Sequence, residues 1–329
     1  MKKSWISLLI VIVLASLLTL AAYAKTPKKA EVDMLGSKLG TIAYVMPLAL
    51  SEVINGHSDW LRVNFMEGAG TLGNLQALAL DPKLRNRTIV VSSDAAFFLA
   101  TLGKPPFKAP YPDARCVLQF FTAPYTIVTL DPDIKSFKDL QGKRFGIGNK
   151  GMTNVPFHEA MLDILGIRGS VKLSYMTWGE AKSAMLDGLI DAAVIGSVSP
   201  ALFELMAARD VYFVDVPAEL VTPVEEKVGL PWLYYTVSPK SIAGTKPDRE
   251  VHAFGSWIGL YCDKSVDEDS VYECVKWAYE NGEEMWKANK LCRNFKPKDA
   301  GIYGRQPLDM VHPGALKYFR EQGIKVEGK

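Results

Sequence analysis

Residues 134–199 constrain this chain most, because they spell two consecutive strand-to-helix units of one plan. In IKSFKDLQGKRFGIGNKGMTNVPFHEAMLDIL, a short amphipathic helix and a turn at Gly142 lead into a strand over Arg144–Ile147. The loop Gly148–Asn154 then opens a helix. Gly148 and Gly151 permit positive φ, and Thr153 or Asn154 can cap the helix, which leaves backbone N–H groups at the positive end of its dipole. The second unit, WGEAKSAMLDGLIDAAVIGSVSPALFELM, repeats helix, Gly188 stop, buried strand over Asp191–Ile195 and a loop over Gly196–Pro200. Two such loops at neighbouring strand ends are where an open α/β sheet takes ligands.

The rest of the chain is consistent with that class. From Glu31 a strand over Val32–Leu35, a helix over Ala43–Ile54 and a strand over Leu61–Phe65 follow in order. A glycine-rich loop Glu67–Gly73 opens a helix through Leu80, before the apolar strand Thr88–Val91. Alternating strands and helices predict a sheet covered on both faces. Cys116–Leu130 reads as strands leaving a first lobe, with Tyr125–Leu130 as the crossing, and Gly255–Tyr261 as the return strand. Pro217–Asp248 reads as irregular, and Asp267–Asn289 as one amphipathic helix. The expected divisions are a leader at 1–24, lobe I at 25–126, lobe II at 127–254, and return crossing with C-terminal helices at 255–329.

The leader rests on Lys2 and Lys3, the apolar run Ile6–Leu20 and the Ala22-Tyr23-Ala24 cleavage pattern, which together predict export to the periplasm. Taking Lys2 and Lys3 from the 38 basic residues leaves as many as the 36 acidic ones, so nucleic acid is not an expected partner. Cys116, Cys262, Cys274 and Cys292 have no metal spacing; Cys262 with Cys274 is the more plausible disulfide, beside the alternative of free buried thiols. No metal or cofactor is expected. GIGNKG at 146–151 has a dinucleotide-type spacing, but no acidic residue follows where the ribose would need one.

If two lobes face each other, four loops converge. The first lobe contributes Gly36, Ser37, Lys38, Gly40 and Thr41, then Gly70, Thr71 and Asn74, then Ser92 and Ser93. The second contributes Asn149, Lys150, Met152, Thr153 and Asn154, then Ser197 and Ser199. Hydroxyls, amides and helix N-termini suit a small carboxylate ligand without a salt bridge. Trp178 and Tyr125 could wall the cleft.

The strings SFKDLQGKRFGIG, MLDGLIDAAVI and HPGALKYFREQGI, in that order, resemble the TAXI family of TRAP-transporter extracytoplasmic solute-binding proteins. The resemblance spans the mature chain. It implies an α/β, two-lobed type II periplasmic-binding-protein fold, each lobe a mixed sheet flanked by helices, with the ligand cleft between. It also implies delivery of a small organic or amino acid to TRAP membrane permease subunits. Against the family's first loop, GSxGGTYYPLG, this chain keeps Gly36, Ser37, Gly40 and Thr41 but has Ile42 and Ala43 in place of two tyrosines. Against GGSxENL it keeps Gly70, Thr71, Asn74 and Leu75. Characterised relatives take glutamate or 2-oxoglutarate; Ile42, Ala43 and Met152 point to a more apolar acid. A ligand sensor for a signalling receptor is the alternative, and an enzyme on the same fold a weaker one, since His57, His158, His252 and His312 are scattered.

Overall fold

The structure, a computed structural model, describes residues 28–230, 233–237, 250–296, 308–324 and 326. The proposed leader at 1–24 lies outside them. The chain opens with β1 (Ala30–Leu35), α1 (Ile42–His57), β2 (Leu61–Met66), α2 (Thr71–Leu80), the short α3 (Pro82–Arg85), β3 (Thr88–Ser93) and α4 (Asp94–Leu102). β1 lies parallel between β2 and β3. Every residue of β3 is buried, as expected of a strand covered on both faces.

β4 (Ala114–Thr129) is a 16-residue strand that belongs to both halves of the molecule. Then come β5 (Arg144–Gly146), α5 (Asn154–Ile164), β6 (Lys172–Ser174), α6 (Trp178–Leu186), β7 (Ala192–Gly196), α7 (Pro200–Ala208), β8 (Tyr212–Val214), α8 (Val221–Val228) and β9 (Leu233–Val237). β10 (Val251–Asp263) is followed by α9 (Glu268–Glu280), α10 (Met285–Ala288) and α11 (Pro313–Glu321). The sheet order is β2-β1-β3-β10-β4-β7-β5-β6, with β8 on β4 and β9 on β10. Up to Pro124, β4 pairs antiparallel with β10; from Tyr125 it pairs with β7. β10 likewise pairs with β3 at one end and β9 at the other, so two continuous strands join the halves.

Three local expectations fail. The amphipathic segment before Gly142 forms only a 3-10 turn over Phe137–Leu140. The helix expected over Asp267–Asn289 stops at Asn281, and the chain passes through a 3-10 turn at Gly282–Glu284 before α10. Gly282 in the middle of the pattern weakens the helix there. The stretch 217–248, read as irregular, holds α8 and β9 in its described part. Pro223 falls in the first turn of α8, where a missing N–H costs nothing.

The HPGA string serves as a joint. His312 caps α11 by accepting from Gly314 N at 3.2 Å, its Nε2 donates to Val266 O at 3.1 Å, and its backbone N–H donates to Cys116 O at 2.8 Å. A Cβ on Gly314 would stand 2.2 Å from Glu268 O, so the glycine lets α11 lie directly on α9. All four cysteines are buried and free.

Candidate functional site

The first loop is shaped by a proline. Pro47 sits inside α1 and cannot donate to Ala43 O, one turn back. Ala43 O instead accepts from Ser37 N at 3.0 Å, which folds the loop back over the start of α1. Thr41 caps that helix, accepting from Tyr44 N and donating to Lys38 O at 2.7 Å. Gly40 takes φ +83° to make the turn, and a Cβ on Gly36 would meet the Phe65 ring at 2.7 Å. Lys38 turns away to Glu67, 3.4 Å distant.

Asn74 is fully buried on α2 and ties the first half's loops together. Its Nδ2 donates to Gly36 O and Val91 O, both at 2.9 Å, and its Oδ1 accepts from Ala69 N at 2.9 Å. One side chain thus fixes the ends of β1 and β3 and the loop after β2. Ser92 Oγ donates to Thr71 O, and Ser93 caps α4.

From the second half, the loop after β5 reaches across. Thr153 Oγ1 lies 2.9 Å from Thr71 Oγ1 and 2.8 Å from Ser93 Oγ. Gly151 O accepts from Leu72 N at 3.1 Å and Gly73 N at 3.4 Å, so a carbonyl of one half covers the start of α2 in the other. Of the two glycines that permit positive φ, Gly148 takes φ +101° and Gly151 does not use that freedom. What Gly151 supplies is space, since a Cβ there would stand 2.2 Å from Ala69 O. Asn154 Nδ2 donates to Ile147 O at 2.8 Å, while its Oδ1 and that of Asn149 are buried acceptors without a partner among the described residues. Lys150 is exposed, with its Nζ 5.2 Å from the centre of the Tyr175 ring.

Between the halves lies a small cavity with room for roughly one water. Of the residues expected from sequence, Ser37, Thr41, Thr71 and Met152 line it. Tyr125 and Trp178 wall it, as their positions suggested. The floor was missed: Phe121, Ala123 and Ile258 come from the two joining strands. Their inward alternation along long apolar strands was the available signal, but it cannot be told from core without knowing that both strands cross between halves.

The remaining expected residues lie outside this lining. Ser199 caps α7 through Leu202 N, and Ser197 N–H donates to Pro124 O at 3.0 Å, where β4 changes partner. The Trp178 ring lies over Gly196, whose added Cβ would stand 2.4 Å from it. No lysine, arginine or histidine among the described residues lines the cavity. His158, on α5, is fully buried and pushed down to about 4 by loss of solvation. No group of His, Cys, Asp and Glu among the described residues is placed to hold a metal.

Solved structures share this architecture at low identity. One described as a periplasmic transporter is 13% identical, with 92% of this chain and 100% of that chain covered and a TM-score of 0.53. MatC from Rhodopseudomonas palustris with bound malate is 15% identical, with coverage of 89% and 96% and a TM-score of 0.53. The periplasmic binding protein BugD is 18% identical, with coverage of 92% and 100% and a TM-score of 0.52. The fold is that of the two-lobed periplasmic binding proteins. No helix among the described residues is long and apolar enough to cross a membrane. No curated protein sequence matches. Residues 36–323 match the NMT1-like family, and the chain belongs to it.

Proposed function

We propose that this protein is a periplasmic solute receptor that holds a small carboxylate between its lobes and delivers it to a TRAP-type membrane permease. The observation that carries the reading is the cavity where the starts of α1 and α2, the loop before α5 and the two joining strands meet. Residues of both halves line it, Ser37, Thr41 and Thr71 from one and Met152 and Trp178 from the other, and Thr153 bonds to Thr71 and Ser93 beside it. A ligand seated there contacts both halves, so its affinity for the closed arrangement exceeds that for the open one, and binding shifts the population to closed. Hydroxyls and a helix start are donors for a carboxylate, and MatC, of similar fold, holds malate. The TAXI resemblance supports the permease, and the N-terminal pattern supports export with cleavage after Ala24.

The test is thermal unfolding of the chain from Lys25 against carboxylates, amino acids and sugars. Ligand at about 100 times its Kd adds roughly 2.7 kcal/mol, a shift of a few degrees for a chain this size. A shift confined to carboxylates is expected; one confined to sugars or amines would remove the carboxylate reading.

A further inference from the structure

The walls of the same cavity narrow the ligand further, an inference that rests on the receptor reading above. Ile42, Phe121, Met152 and Ile258 make most of its surface apolar, and the cations nearest in sequence are engaged elsewhere, Lys38 with Glu67 and Lys150 over Tyr175. The helix start of α2 already has its acceptor in Gly151 O. The start of α1, with Ser37 beside it, remains to face one anionic group, the Thr41 hydroxyl being already spent on Lys38 O. A second carboxylate enclosed here would have no countercharge, and burying an unpaired charge is strongly unfavourable.

An independent feature points to an acceptor on the ligand. Trp178 lines the cavity at 6% exposure, and its Nε1 is buried with no hydrogen-bond partner among the described residues. An indole N–H can only donate, and buried indoles usually find an acceptor. Gly196 holds the ring in place by leaving room for it above β7.

We infer that the ligand is a monocarboxylate with an apolar body, of the branched or aromatic 2-oxo acid class, and that Trp178 Nε1 donates a hydrogen bond to one of its oxygens. Calorimetry with the chain from Lys25 tests this using phenylpyruvate and 4-methyl-2-oxopentanoate against malate and 2-oxoglutarate. The two monoacids should bind at least about tenfold more tightly, the discrimination that a buried unpaired group readily supplies. Trp178→Phe keeps the ring and removes the donor, and should weaken the monoacids about tenfold while leaving the unfolding midpoint without ligand close to that of the parent. Tighter binding of malate or 2-oxoglutarate would overturn this inference and leave the receptor reading intact. Equal affinity of parent and Trp178→Phe would remove the indole from the site. Binding of sugars or amines with no acid bound would remove both the inference and the carboxylate reading.

Discussion

Asn74 shows how one residue of a glycine-rich motif can be structural. Both of its N–H donors are spent, on Gly36 O and Val91 O, and its Oδ1 accepts from Ala69 N, so it has no donor left for a carboxylate. Asn74→Leu keeps the volume and removes all three bonds. It should cost about 3 kcal/mol or more, read as a lower midpoint in urea unfolding; an unchanged midpoint would mean that the loops hold themselves. His158 makes a prediction of different sign in pH. Its folded value, about 4, lies below the ordinary value of about 6.5, so below that ordinary value the unfolded chain binds a proton that the folded one refuses. The stability it contributes is complete above about pH 6.5 and is lost as pH falls toward 4, by roughly 3 kcal/mol over that window. His158→Gln should flatten that part of the stability profile, measured by denaturant unfolding from pH 7 to 4.

At the scale of elements, the strands were legible where composition alone sets them. The fully apolar β7 and the β-branched start of β3 sit where their residues predict. β9 was not legible, because Leu233–Val237 becomes a strand by pairing with β10, a partner supplied from a distant part of the chain. In the site, Ser37, Thr41, Thr71 and Met152 of the expected residues line the cavity. The sequence could not tell residues facing the cavity, such as Ser37, from those serving the scaffold, such as Asn74 and Ser199, because capping and ligand contact call for the same side chains. Pro47 illustrates an element effect hidden from periodicity. Pro47→Ala restores a donor for Ala43 O, which then competes with Ser37 N for that carbonyl. The variant should unfold at equal or higher temperature yet bind ligand several-fold more weakly in calorimetry, since Ser37 is released from the cavity wall. Undiminished affinity would show that the loop keeps its shape without that bond.

For the whole molecule, the central question is whether closure can be separated from folding, and Gly151 offers a way. It faces Gly70 across the cleft, so that two backbones approach where any side chain would intervene: a Cβ on Gly151 would meet Ala69 O at 2.2 Å, and one on Gly70 would meet Gly151 O at 2.7 Å. The two glycines differ in what they would cost. Gly70 has φ +105° and would be strained by any substitution, whereas Gly151 lies outside the positive-φ region and is obstructed only by Ala69 O across the cleft. Gly151→Ala should therefore fold with stability within about 1 kcal/mol of the parent, since alanine there needs no positive φ. It should also hold the halves apart, breaking the bonds from Leu72 N and Gly73 N to Gly151 O and separating Thr153 from Thr71 and Ser93. Because apparent affinity scales with the fraction of molecules able to adopt the binding arrangement, the variant should bind at least about tenfold more weakly. Small-angle scattering should give it a larger radius of gyration than the parent, insensitive to ligand. A parent-like radius with parent-like affinity would show that the contact between Gly151 and the start of α2 is incidental to closure, and that the joining strands β4 and β10 set the angle between the halves by themselves.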